Sequence, residues 1–300
     1  MASKPKIIVI VGPTASGKTS LSIKLAKAVG GEIVSADSRQ VYAGLNLGTG
    51  KVTKKEMAGI PHHLLDVANP EHIYTASNYV KEARTAIAGI LERGSVPIVC
   101  GGTGFYIDTL LGRMNIPEVP PNKALRKKLE NLTAEQMFKL LAKKDPARAK
   151  EIDRHNPVRL IRALEIVEAL GKVPKQKISE PYNSLMLGVS VELKKLQENI
   201  HARLLSRIKL GMLREVKKLH TQGLSWRRME DLGLEYRYTA LHLQGKIPKE
   251  EMLAQLELEI VKYAKRQMTW FKRHKDVVWV KAKKFGEIRE KVNSFLSDEY

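Results

Sequence analysis

Cysteine is almost missing from this sequence: 300 residues hold one, Cys100. A lone thiol excludes an internal disulfide framework and a zinc site built on several thiolates. It reads as a buried strand thiol in a chain suited to a reducing compartment. Long apolar runs are missing too. No segment approaches the roughly 18 consecutive apolar residues of a membrane span, and Ile7–Val11 is too short for the core of a signal peptide. The expectation is a cytoplasmic protein with no membrane partner. Internal repeats and low-complexity tracts are likewise absent.

Acidic charge is in short supply. Asp and Glu number 32 against 52 Lys and Arg, a formal net charge of +20. Such an excess points to a polyanionic partner, either nucleic acid or an anionic membrane surface. With 43% hydrophobic and 28% charged residues, wholesale disorder and collagen-like structure are excluded. The length suits two domains.

The first third alternates strand-like and helix-like signals. Ile7–Val11 is a β-branched run of the kind covered on both faces of a sheet. A helix at about 19–28, a strand at 32–35, a helix at 76–93 and a strand at 96–100 follow. This order argues for an α/β fold with a parallel sheet, a P-loop NTPase-like core flanked by helices. Beyond Gly112 the texture changes to a Pro-rich linker and then helices, with a loop at 171–182. The sheet is expected to resume at Leu185–Val191. Residues 113–185 therefore read as a helical insertion domain in a core made of 1–112 and 186–300. The last third reads as helices at 194–222 and 249–272, with a strand at 277–280. Net charge is +4 over 1–112, +7 over the short insertion and +9 over 186–300, so the insertion is densest in positive charge.

Gly12-Pro13-Thr14-Ala15-Ser16-Gly17-Lys18-Thr19 matches G-x-x-x-x-G-K-[ST], with a strand before it and a helix after it. Glycines let backbone N–H groups converge on phosphate oxygens, and the helix N-terminus favours an anion. Lys18 adds a point charge, and the Thr19 hydroxyl is suited to Mg²⁺ or to a phosphate oxygen. Such a loop cradles a diphosphate whatever is attached to it. The strand at 96–100 ends in Gly101-Gly102-Thr103-Gly104 rather than in the Asp that helps hold Mg²⁺ in many nucleotide triphosphatases. Asp37, after the second strand, is the nearest acidic candidate. Judged alone, it is as well suited to capping a turn as to catalysis, and Thr103 is equally open. Kinase and non-kinase readings both stand at this level.

Further segments recur in order: Ser35-Ala36-Asp37-Ser38-Arg39-Gln40-Val41-Tyr42, Gly48-Thr49-Gly50-Lys51, His62-His63-Leu64-Leu65-Asp66, Gly101–Tyr106, Asn156–Glu165 and Lys265-Arg266-Gln267-Met268-Thr269-Trp270-Phe271. Together with the phosphate loop, the set closely resembles the bacterial tRNA isopentenyltransferase (dimethylallyltransferase) family over nearly the whole chain. The resemblance implies transfer of a dimethylallyl group from dimethylallyl diphosphate to N6 of the adenosine just 3′ of the anticodon. It implies that Gly12, Thr14, Ala15, Ser16, Gly17, Lys18 and Thr19 hold the donor's diphosphate, with Mg²⁺ at Thr19. It implies Asp37 as the proton acceptor, Thr103 between donor and base, and Arg203 on the diphosphate. A solvated helix face is the plain alternative for Arg203, shared with Arg207 and Arg214. Asp37, Ser38, Arg39 and Gln40 resemble the segment that reads the target base. Val158, Arg159, Leu160, Ile161 and Arg162 resemble a second RNA-contacting segment, with Arg159 and Arg162 three apart on one helical face. The partner implied is the tRNA anticodon stem-loop, and the family likeness suggests a monomer. Gly233 aligns with a family glycine, while the roles of Tyr236 and Arg237 stay open. His62 and His63 are not expected to bind zinc, because neighbours on a strand face opposite ways. The competing readings are an ATP-dependent small-metabolite kinase, a cytokinin-type adenylate isopentenyltransferase and a non-enzymatic RNA-binding protein.

Overall fold

The computed structural model describes residues 4–175 and 178–297. Lys177 and Gln176, in the expected loop at 171–182, lie outside the described residues. The chain divides into two compact units, one made of residues up to Leu111 together with Glu180 onward, the other of Gly112–Ser179.

The first unit is built on a six-stranded parallel sheet. Its strands are β1 (Lys6–Val11), β2 (Gly31–Ala36), β3 (His62–His63), β4 (Val96–Gly101), β5 (Asn183–Val189) and β6 (Val278–Val280), in the spatial order β3-β2-β4-β1-β5-β6. Its helices are α1 (Lys18–Val29), α2 (Lys54–Met57), α3 (Ala76–Glu92) and α4 (Gly104–Leu110), then, after the four helices of the second unit, α9 (Leu193–Leu210), α10 (Met212–Thr221), α11 (Trp226–Leu232), α12 (Leu234–Leu243), α13 (Lys249–Lys272) and α14 (Phe285–Ser297). Parallel pairing requires crossovers, and the helices supply them while covering both faces. Ile7, Val9 and Val11 of β1 pack with Tyr79 and Ile87 of α3 and Phe271 of α13. Ile8 and Ile10 pack on the other face with Leu21 and Leu25 of α1 and Val292 of α14. The α/β class expected from the β-branched runs is the one observed.

Register decides where the motifs meet. Gly101 pairs with Val11 on one side and Ala36 on the other, so the turns starting at Gly12, Asp37 and Gly102 leave the sheet side by side. A Cβ on Gly101 would stand 2.1 Å from the Ala36 carbonyl oxygen, which explains why a glycine ends this strand. Three motifs separated by up to 90 residues thus emerge at the carboxyl edge, where open α/β sheets bind ligands.

Some boundaries differ from those the sequence suggests. The fifth strand runs Asn183–Val189 rather than 185–191, because Lys6 to Val11 pair with Asn183 to Gly188. The helix expected over 194–222 is two helices, α9 and α10, broken at Gly211, whose φ of 105° lies in the left-handed region. The division of the chain falls after Ser179, not at 185, since the residues entering β5 belong with the sheet.

The second unit holds α5 (Lys123–Leu129), α6 (Ala134–Lys144), α7 (Pro146–Glu151) and α8 (Pro157–Leu170). Asn122, Thr133, Asp145 and Asn156 each accept a backbone N–H at a helix start, satisfying donors the helices leave orphaned. Leu129, Met137, Leu141, Leu160 and Leu164 form its core. Glu165, 1% exposed, accepts from Arg126 at 2.7 and 3.0 Å, from the Asn122 N–H at 2.8 Å and from Arg162 at 3.3 Å.

Candidate active site

The phosphate loop connects β1 to α1 through backbone conformations that its residues were chosen to tolerate. A Cβ on Gly12 (φ 152°) would stand 3.1 Å from both the Val189 carbonyl oxygen and Ser16 Oγ, a crowded position on a backbone conformation that L side chains rarely adopt. Gly17 (φ 87°) enters α1 with no side chain capping its first turn, which leaves that turn's N–H groups for an anion. Ser16 Oγ is buried and has no partner among the described residues, an orphaned polar atom of the kind a bound ligand satisfies. Lys18 Nζ folds back to donate to the Pro13 carbonyl oxygen at 3.2 Å. Burial lowers its pKa, with Cys100 and Asp37 opposing and Arg203 adding to the fall. Cys100 lies directly beneath, its buried thiol donating to the Lys18 carbonyl oxygen at 3.8 Å.

Asp37 closes a turn on itself. Its Oδ1 accepts from the N–H groups of Arg39 at 2.9 Å and Gln40 at 3.3 Å, leaving Oδ2 without a partner among the described residues. Thr103 Oγ1 accepts from the Ser38 N–H at 3.0 Å, and the Thr103 N–H donates to the Ala36 carbonyl oxygen at 3.1 Å, so the turns after β2 and β4 are tied together. The capping and catalytic readings of Asp37 therefore coexist, one on each oxygen. Arg39 is held by the Leu232 carbonyl oxygen at 2.6 Å, and Gln40 Nε2 reaches the Gly50 carbonyl oxygen at 3.4 Å.

Arg203 on α9 donates to Thr14 Oγ1, which brings it onto the loop as expected. Burial drops its pKa to about 10, and Arg207 pushes the same way. The solvated-face alternative holds for Arg214, which is exposed and lies on α10, but not for Arg207 of α9, which is 8% exposed. Thr14, Asp37, Ser38 and Arg39 share a cavity of about 290 Å³ with Arg207, Glu235, Tyr263 and Arg266. Burial raises the pKa of the Glu235 carboxyl, and Arg207 opposes the rise. Burial also pushes the Tyr263 phenol up, with Asp37 adding to it and a hydrogen bond with Thr103 pulling the other way.

The second RNA-contacting candidate, Val158–Arg162, lies on α8 of the other unit. Val158 and Arg159 are exposed. Leu160 is fully buried and Ile161 packs against the same core, so the Leu160 side chain serves packing and is not available to RNA. Arg162 leans inward to Glu165 and to the Pro117 carbonyl oxygen at 3.4 Å. The single basic face expected from the spacing of Arg159 and Arg162 is therefore carried by Arg159.

Residue-by-residue reading missed the contribution of α12 and α13. Gln267 Oε1 accepts from the Thr14 N–H at 2.8 Å and its Nε2 donates to the Gly102 carbonyl oxygen at 3.0 Å. Trp270 Nε1 donates to the buried Asp108 at 3.0 Å and packs where a Cβ on Gly104 would fall 2.1 Å away. The signal was present in Lys265–Phe271 as a motif without a role. Tyr236 donates to Glu215 at 2.9 Å, a packing role. His62 and His63 are engaged separately, by the Ile60 carbonyl oxygen and by Glu32.

Among the described residues no cluster of three or more His, Cys, Asp or Glu could hold a metal ion. The Thr19 hydroxyl, exposed at the start of α1, is a hard oxygen donor. That set fits a Mg²⁺ that keeps its waters and takes most of its protein-side contacts through substrate phosphates. No helix among the described residues is long and apolar enough to cross a membrane.

Comparison with known proteins gives one consistent picture. A family model described as IPP transferase matches residues 40–274. The chain is 39% identical to the tRNA dimethylallyltransferase of Pelotomaculum thermopropionicum, over 95% of this chain and 93% of that one. It is 42% identical to tRNA dimethylallyltransferase 2 of Treponema denticola, over 91% and 93%. The tRNA isopentenylpyrophosphate transferase of Bacillus halodurans superposes with a TM-score of 0.75 at 34% identity, covering 98% of this chain and 97% of that one. A eukaryotic dimethylallyltransferase solved acting on tRNA superposes with a TM-score of 0.87 at 27% identity, covering 99% and 80%.

Proposed function

The chain belongs to the IPP transferase family and is an enzyme that transfers a dimethylallyl group to tRNA, and from that premise we propose that the donor is dimethylallyl diphosphate and the acceptor is N6 of the adenosine immediately 3′ of the anticodon. The observation that supports this most is the cavity lined by both Thr14 of the phosphate loop and Asp37: an anion seat beside a carboxylate with one oxygen unspent.

The chemistry follows from that juxtaposition. An exocyclic adenine amine is a weak nucleophile, since its lone pair is delocalised into the ring. Oδ2 of Asp37 accepts a hydrogen bond from the amine and takes its proton as the nitrogen–carbon bond forms. The allylic carbon–oxygen bond breaks, and its electron pair leaves with the diphosphate. Lys18, Arg203, the first turn of α1 and the loop N–H groups neutralise that charge. Mg²⁺ bound on the diphosphate, with Thr19 as its protein oxygen, would supply further neutralisation. Thr103 holds the Ser38 backbone, and so fixes the turn that carries Asp37.

The target base must leave the anticodon-loop stack to reach the cavity. Ser38 and Arg39 line the cavity it enters, Gln40 follows them in the same turn, and Val158 and Arg159 offer an exposed contact on α8. The net charge of +20 suits the phosphates of tRNA. The protein works as a cytoplasmic monomer in this reading. Incubation with labelled dimethylallyl diphosphate, Mg²⁺ and unmodified tRNA tests it: the label is expected on the adenosine 3′ of the anticodon. In parallel incubations, label found on AMP supplied in place of tRNA, or consumption of the γ-phosphate of ATP supplied in place of the donor, would replace this reading with the cytokinin-type or kinase one.

A further inference from the structure

We propose that Tyr263 reads the target base, its hydroxyl donating a hydrogen bond to N1 of the adenine whose N6 amine faces Asp37; this rests on the acceptor reading above.

Tyr263 belongs to the face of α13 that closes the cavity. Glu259, Ile260, Tyr263 and Arg266 all line it, at the three- and four-residue spacings of one helical face. Gln267, one turn on from Tyr263, bonds the Thr14 N–H at 2.8 Å and the Gly102 carbonyl oxygen at 3.0 Å. The helix is thereby pinned to both turns of the site, which fixes where Tyr263 sits. Arg266 stands over the ring, its guanidinium carbon 5.9 Å from the centroid, a cation–π contact that holds the ring's tilt.

The proton inventory leaves this hydroxyl with work to do. Thr103 Oγ1 accepts the Ser38 N–H at 3.0 Å. Thr103 is also hydrogen-bonded to the Tyr263 hydroxyl, a contact that favours the ionised phenol. A bond of that sense is one in which Thr103 donates and Tyr263 accepts. Each hydroxyl carries one proton, so the proton of Tyr263 is left over. It has no other partner among the described residues, and the residue is half-buried on the cavity wall. Burial and then the Asp37 carboxylate raise the phenol's pKa, so it keeps that proton at neutral pH and remains a donor.

An acceptor lines the same cavity. Asp37 spends Oδ1 on the N–H groups of Arg39 and Gln40 and leaves Oδ2 open. Ser38 adjoins Asp37 in the chain and bonds Thr103, and Thr103 bonds Tyr263. One acceptor and one donor are thus tied together through two residues. Adenine presents the complement on its Watson–Crick edge, the edge by which a flipped base is read: N6–H as donor beside N1 as acceptor. Guanine presents the reverse, O6 beside N1–H. It would set an oxygen against the carboxylate and a proton against the phenol, and a site left with unpaired polar groups rejects the wrong ligand.

The two side chains divide the task. Asp37 takes the N6 proton, and Tyr263 holds the ring by N1, so that the amine meets the allylic carbon. A tyrosine present only for packing would be indifferent to the atom at N1.

The test pairs a change in the enzyme with a change in the base. Wild type and Y263F receive saturating dimethylallyl diphosphate, Mg²⁺ and an anticodon stem-loop. The stem-loop carries adenosine or 1-deazaadenosine, in which C–H replaces N1, at the target position. The kcat/KM for the stem-loop is read in all four combinations, and folding by thermal unfolding. Removing either partner is expected to lower kcat/KM by about ten- to a hundredfold. Removing both is expected to cost no more than about threefold beyond the larger single loss. Any change in the amine's own reactivity is common to both enzymes and cancels between them. Losses that multiply overturn the inference, as does a folded Y263F with wild-type kcat/KM on adenosine. Should Y263F not fold, Y263L takes its place in the cycle, and a wild type that uses 1-deazaadenosine as readily as adenosine overturns the inference without any variant. Independent losses in an enzyme that does alkylate the adenosine sink the role of Tyr263 alone. A wild type that alkylates no adenosine at that position sinks the acceptor reading as well.

Discussion

Gln267 and Thr14 lie 253 residues apart and meet in a 2.8 Å hydrogen bond, the Thr14 N–H donating to the carboxamide oxygen. The same carboxamide donates to the Gly102 carbonyl oxygen at 3.0 Å. One side chain from α13 therefore sets the spacing between the phosphate loop and the turn that bears Thr103.

Replacing Gln267 with Leu keeps its bulk and removes both bonds, leaving a loop donor and a buried acceptor unpaired at a cost of about 1–3 kcal/mol. The expected outcome is a rise of about tenfold in KM for the donor and a modest loss of thermal stability. Steady-state kinetics showing an unchanged donor KM would mean that the loop holds its shape without this strut.

Asp37→Asn preserves an oxygen for the N–H groups of Arg39 and Gln40, so the turn should persist. It removes the proton acceptor. Transfer is expected to fall by about 10²–10⁴-fold, with tRNA affinity within about threefold of wild type. Single-turnover rates equal to wild type would place the base elsewhere.

Glu32 titrates far from the chemistry and offers a stability test. The hydrogen bond from Arg93 pulls its pKa down to about 2 from 4.5, burial opposes, and His63 adds to the fall. A carboxyl depressed in the folded state contributes stability above its unfolded pKa and loses it as pH falls towards the folded value. Glu32→Gln is therefore expected to lower the melting temperature at pH 7, and the gap from wild type to shrink between pH 4.5 and 2. A gap that stays constant over that window would show that the carboxylate charge contributes nothing.

Glu165→Ala leaves Arg126, Arg162 and the Asn122 N–H without their shared acceptor in the core of the second unit. Breaking a buried pair by removing one partner costs about 3–5 kcal/mol. Limited proteolysis is expected to cut within 112–179 in the variant while the wild type resists. Equal resistance would mean that the four helices hold without the carboxylate.

Much of the site was legible because its signals are local. Gly12, Gly17, Lys18 and Thr19 form a contiguous pattern whose glycines answer to backbone angles, and the runs at 7–11 and 96–100 answer to burial on both sheet faces. Asp37 could be found as the acidic residue closing a strand. Arg207 could not be told from Arg214, since the sequence reads as one helix through both, and only the structure shows the first buried on α9 and the second exposed on α10. Leu160 illustrates the reverse: its motif suggested RNA, and its side chain went into the core.

Sequence by itself determined the α/β class, the anion loop, the basic character and the family, because β-branched runs, glycine conformations and charge are properties of short stretches or of simple counts. Tertiary structure decided which polar groups complete the site. Gln267, Arg207 and Glu235 acquire their partners only when α9, α12 and α13 pack against the carboxyl edge of the sheet, and a buried hydrogen bond between residues far apart in the chain leaves no periodic trace in either segment.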